Sequence, residues 1–131
     1  MLILLSLIIC LFTNFIEFGH FLFGAGHIEN TTNLALMTGG PVWNASRGMH
    51  SWEKNRLGWM EFKDVPLNKN SIVKVRDYHT TGDVVRIKLS KSEWYLIENH
   101  QKLSPNDWAK DKGIYIFHVK NSKNCVVFLK S

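Results

Sequence analysis

Glu17 and His20 lie three residues apart in FIEFGHFLFGAGH, residues 15–27. On a helix that spacing brings a carboxylate and an imidazole onto one face. An imidazole nitrogen can hold a metal ion, and a carboxylate beside a metal-bound water can take its proton. The full zinc-binding pattern, H-E-x-x-H, needs a second imidazole immediately before the glutamate. That position is Ile16, whose side chain has no lone pair. Catalytic zinc usually takes three protein ligands and keeps a fourth place for water. Only His20 remains on the segment, with His27 or Glu29 beyond it. Zinc held by so few donors should bind weakly or not at all. Taken alone, E-x-x-H occurs by chance in many chains. His20 on an apolar helix then reads as a hydrogen-bonded core histidine, and His27 as a loop histidine.

The elements that must carry these groups follow from the pattern around them. Residues 1–16, MLILLSLIICLFTNFI, are an apolar leader without lysine or arginine. The run is shorter than the roughly 20 residues of a bilayer span. It also runs into Glu17 without a small-residue cleavage site. It reads as a weak membrane or secretion segment, as a buried core helix, or as an altered start. Residues 24–48 are rich in Gly, Asn, Thr and Ser and predict a loop. Asn30 and Asn44 there match the glycosylation sequon. In HSWEKNRLGW, Ser51 predicts a helix N-cap and Gly58 the helix end. Trp52, Leu57 and Trp59 would share one side of that helix, and Glu53 would pair with Arg56 at its surface. Five runs then read as strands: SIVKVRDY (71–78), DVVRIKLS (83–90), EWYLIENH (93–100), KGIYIFHV (112–119) and NCVVFLK (124–130). The predicted fold is α+β: an apolar helix with a partial zinc motif, a long loop, a short Trp-rich helix and a small antiparallel sheet. Residues 17–131 make up one domain behind the leader.

Composition removes several function classes. Of 131 residues, 45% are hydrophobic and 21% charged, as expected of a globular domain. The net charge of +5 comes from scattered lysines with no basic run, which argues against a nucleic-acid patch. Cys10 and Cys125 form no CxxC pair, so a zinc ribbon and a dithiol redox motif are excluded. They read as two buried thiols, with a disulfide between them as the open alternative. The five tryptophans read as core and rim packing rather than a carbohydrate platform. Glu93 and Glu98 point to opposite faces of one strand, which removes a glycosidase pair. Asn106, Asp107 and Asp111 lack EF-hand spacing and read as a solvated turn. No serine sits in G-x-S-x-G, and there is no P-loop.

The order of the motifs carries a further reading. EFGHFLFGAGH, then NLALMTGGPVWNASRGMHSWEKNRLGWM, then EWYLIENHQK and GIYIFHV resemble the secreted bacterial zinc metallopeptidases of the immune inhibitor A group. That family carries H-E-F-G-H, a methionine turn of the type D-x-M-S-G-G, W-E-K-x-R-L-G-W, E-Y-F-L-I-E-N-R-Q and G-L-L-I-Y-H-V in the same order. The resemblance spans about Glu17 to Val119. It implies that Glu17 is the general base, that His20 is the second histidine ligand, and that Met37 floors the zinc site without binding the ion. His27 is a candidate third ligand displaced by one residue, since the family spacing falls on Gly26. The departures are Ile16 in place of a ligand and His100 where arginine is usual. The segment before the motif also has no room for the sheet that aligns a peptide in such enzymes. The resemblance therefore implies the C-terminal half of a catalytic domain: a truncated or degenerate metalloendopeptidase, secreted or membrane-associated, with zinc weak or absent. Its ancestral substrates would be proteins or peptides. The alternative is a non-catalytic binding or structural domain tethered to a membrane by residues 1–16.

Overall fold

The computed structural model describes residues 17–22, 34–37 and 49–120, and the backbone of a strand at Cys125–Lys130. The apolar leader, His27, Cys10, Asn30 and Asn44 lie outside the described residues. No described helix is long and apolar enough to cross a membrane. Residues 17–22 are helical (α1). Two further short helices follow, α2 (Ser51–Arg56) and α3 (Tyr78–Thr81). Five strands make one sheet in the order β1-β2-β3-β4-β5: β1 (Lys63–Asp64), β2 (Val84–Lys88), β3 (Glu93–His100), β4 (Gly113–Lys120) and β5 (Cys125–Lys130). The fold is α+β, as the pattern predicts.

Strands β2 to β5 form an antiparallel meander, in which consecutive runs of β-branched and aromatic residues pair as neighbours. The sheet is mixed rather than antiparallel throughout, since β1 pairs parallel to β2. That pairing displaces the predicted strand at 71–78. The edge of β2 is taken by Lys63 and Asp64, which lie opposite Val85 and Arg86. A fork from Arg86 to the Asp64 carboxylate, at 2.6 and 3.0 Å, fixes the register. Residues 71–76 instead run outside the sheet, with Ile72 fully exposed.

The period of two in β3 and β4 sorts side chains onto two faces. Leu96, Glu98 and His100 are buried from β3, and Tyr115, Phe117 and Val119 from β4. Leu96 lies opposite Phe117 and Glu98 opposite Tyr115. Leu34, Ala35 and Met37 from the 34–37 turn, Trp52 from α2 and Tyr78 from α3 complete this core. One end of the buried face is therefore apolar and the other is ionisable.

α2 begins one residue earlier than Ser51 predicts. His50 is its N-cap: the Trp52 amide donates to His50 Nδ1 at 3.0 Å, and the His50 amide donates to Glu53 at 2.9 Å. Histidine is an unusual cap, but its ring nitrogen accepts from the helix start as a serine hydroxyl would. Gly58, at φ +72°, stops the helix as expected, because that left-handed conformation costs glycine little. Trp59 consequently leaves the helical face and is 66% exposed, while Trp52 is buried.

Candidate functional site

The ionisable end of the buried face is a chain of side chains from five segments. Asp107 Oδ1 lies 2.8 Å from His100 Nδ1, and His100 Nε2 lies 2.9 Å from Glu98 Oε2. Glu98 Oε1 accepts from the buried Ser51 amide at 3.1 Å and stands 3.8 Å from His50 Nε2. His79 Nε2 approaches Asp107 Oδ1 to 3.8 Å. The rings of His79 and His100 are 5.5 Å apart, centre to centre. Tyr78 and Tyr115 flank His100 at 5.6 and 4.9 Å.

Local structure explains each placement. Glu98 and His100 share a face because they are two apart in β3. His79 is brought beside His100 by Asp77, which caps α3 through the Thr80 amide and hydroxyl and also accepts from the Gln101 amide. Asn99 adds a bond to the Val75 carbonyl at 2.9 Å, which locks the approach to α3 against the end of β3. Gly82, in the left-handed region at φ +72°, ends α3 after four residues. Asp107 is held by the amides of Lys102 and Ala109, at 3.0 and 3.1 Å, in a turn where Lys102 has φ +56°. The solvated turn expected at 106–111 is thus wrong for Asp107, which is buried. Backbone amides replace the water it would otherwise need.

Charge within this chain follows from burial and contact. Burial would lower His100, but Glu98 and Asp107 on its two ring nitrogens outweigh that and raise it. Burial would raise Glu98, yet His50, His100 and the Ser51 amide hold its carboxyl at about 2. His50 and His79 are pushed down, mainly by burial. The two flanking carboxyl groups thus bias His100 toward its charged form, while burial biases His50 and His79 toward the neutral form. With Nδ1 of His50 accepting from Trp52, the proton sits on Nε2, which is buried without a hydrogen-bond partner among the described residues.

No family model, curated protein or solved structure matches this chain.

The residues singled out from sequence fall elsewhere. Glu17 is exposed on α1, and His20 on the same helix is half-buried. Met37 is 1% exposed. It seats against Gly19, the residue before His20, so closely that a Cβ at Gly19 would stand 2.1 Å from its sulfur. One group of three ligating side chains converges among the described residues, His79, His100 and Asp107, and it does not include His20. Among the described residues α1 offers one imidazole, His20, and the sequence has aliphatic Ile16 before Glu17, which falls short of the three protein donors a catalytic zinc usually takes.

Glu53 joins the two regions. It is buried rather than paired with Arg56, and it accepts from the amides of Leu36, Met37 and His50 at 3.0, 2.8 and 2.9 Å. The carboxylate thereby ties the 34–37 turn to the cap of α2. Sequence reasoning missed its role because a helical glutamate near an arginine reads as a surface pair. It missed Glu98 and His100 as a unit, although their alternation in β3 was a usable signal. By sequence Asp107 reads as a solvated turn rather than a calcium ligand, and nothing in the sequence marks His79.

Introducing a methyl group at the Met37 contact should be felt at once. Gly19→Ala is expected to cost about 1–3 kcal/mol, because Met37 must leave its seat or α1 must shift. Adding Met37→Ala should recover part of that loss. Urea unfolding of the two single variants and the double variant measures it; a coupling near zero would sink the contact.

Proposed function

We propose that this chain is a degenerate zinc metalloendopeptidase-like domain, secreted or membrane-associated, that no longer hydrolyses peptides. One observation carries the reading: Met37 lies buried against Gly19, one residue before His20 on the E-x-x-H helix. A methionine packed beneath the metal helix is the part that the resemblance assigns to the methionine turn. Here Glu53 secures that turn by two backbone amides. The chemistry, however, needs donors that the helix lacks. Ile16 offers no nitrogen, and with His20 as the helix's one imidazole no zinc-bound water is available for Glu17 to deprotonate. The support that shapes the ancestral site is retained while the reaction is lost.

Purified protein incubated with casein and added zinc should release no peptides above a buffer control. Cleavage that EDTA stops and Glu17→Gln abolishes would overturn the proposal.

A further inference from the structure

We propose that His79, His100 and Asp107 form a binding site for one divalent transition-metal ion of the zinc class, with Glu98 as the positioning residue behind His100. The three donors come from three segments: α3, the end of β3 and the turn at 104–107. Their ligating atoms all lie within 4.8 Å of one another. Two imidazole nitrogens and one carboxylate oxygen suit a borderline ion such as zinc better than calcium or magnesium, which prefer oxygen. Zinc bonds of about 2.0–2.1 Å put neighbouring tetrahedral donors about 3.3 Å apart. The separations here, 2.8 Å from His100 Nδ1 and 3.8 Å from His79 Nε2 to Asp107 Oδ1, lie on either side of that value. The His79 and His100 donors lie within 4.8 Å of each other, so the two imidazoles must draw together for one ion to reach all three.

The surroundings resemble a metal site in a second respect. Metal-ligating histidines almost always donate their other ring N–H to a carboxylate or carbonyl, which fixes the tautomer. His100 does this: with Nδ1 turned to Asp107, its Nε2 lies 2.9 Å from Glu98 Oε2. Glu98 is oriented in turn by the Ser51 amide. Asp107 is turned by the Lys102 amide on Oδ2 and the Ala109 amide on Oδ1. His79 has a side-chain exposure of 10%, against 1% for His100 and none for Asp107, so it forms the side from which an ion enters. None of these groups belongs to α1, so the inference stands whether or not the metallopeptidase reading does.

Zinc titrated into the metal-free full chain against a chromophoric chelator should show one equivalent bound. That equivalent should survive His20→Ala and weaken at least about tenfold in His79→Ala, a position on α3 outside the sheet. In the unmodified chain, zinc should also shift the imidazole NMR signals of His79 and His100 and leave His118 unmoved. Three results would each overturn the proposal: no zinc bound at micromolar concentrations, binding unchanged by His79→Ala, or unmoved His79 and His100 signals in the parent chain.

Discussion

Glu98→Ala should destabilise the domain by about 3–5 kcal/mol, the range for breaking one partner out of a buried ionic cluster. The side chain is 1% exposed, and its two oxygens serve three groups that have no water to fall back on. His100 would keep Asp107 and lose its second carboxylate. The buried Ser51 amide, in the first turn of α2, would lose its acceptor. His50 would lose the charge it faces at 3.8 Å. Glu98→Gln separates these effects. It retains an acceptor for Ser51 but removes the charge that balances His100, so it should cost less than alanine and still be destabilising. Urea denaturation of the three proteins provides the measurement. A loss under about 1 kcal/mol for the alanine variant would mean that the cluster contributes as little as an exposed pair.

Glu53→Ala should act as strongly by another route. It would orphan the amides of Leu36, Met37 and His50, two of them in fully buried bonds. At about 1–3 kcal/mol for each unsatisfied buried donor, reduced where water can enter, a total of about 3–5 kcal/mol is expected. The 34–37 turn should loosen first. Hydrogen exchange should show Leu36 and Met37 amides losing protection while the amides of β3 and β4 keep theirs. Equal loss across the sheet would mean that Glu53 supports the whole core rather than that turn.

The same carboxyl predicts a pH dependence. Burial raises Glu53 from 4.5 to about 7, and the three amides limit that rise. Between those values the folded protein holds a proton that the unfolded chain has released. The stability from Glu53 is therefore complete below its unfolded pKa and is lost as the pH climbs through about 7. Glu53→Gln removes this group. The stability difference, parent minus variant, should shrink by up to about 3 kcal/mol across the window. Unfolding curves at about pH 5 and about pH 8 compare the two ends. A difference that stays constant or grows would sink the assignment.

What the sequence determined about this protein was whatever is local. Alternation with a period of two located four of the five predicted strands, and Gly58 located the end of α2, because both signals act within a few residues. The failures share a cause. The run at 71–78 has the composition of a strand, but the edge it would occupy is filled by Lys63 and Asp64, a competition no local pattern records. Ser51 is a better cap by type than His50, yet His50 caps because Glu53 receives its amide and Phe117 packs its ring edge-on at 4.0 Å. Only the tertiary structure decided which polar groups are buried. Glu53, Glu98 and Asp107 look like any solvated carboxylates in sequence, and desolvation depends on segments up to 47 residues away, as between Ser51 and Glu98. The convergence of His79, His100 and Asp107 has the same origin. It is produced by the Asp77 and Asn99 bonds that hold α3 against the end of β3, and by the turn amides that hold Asp107.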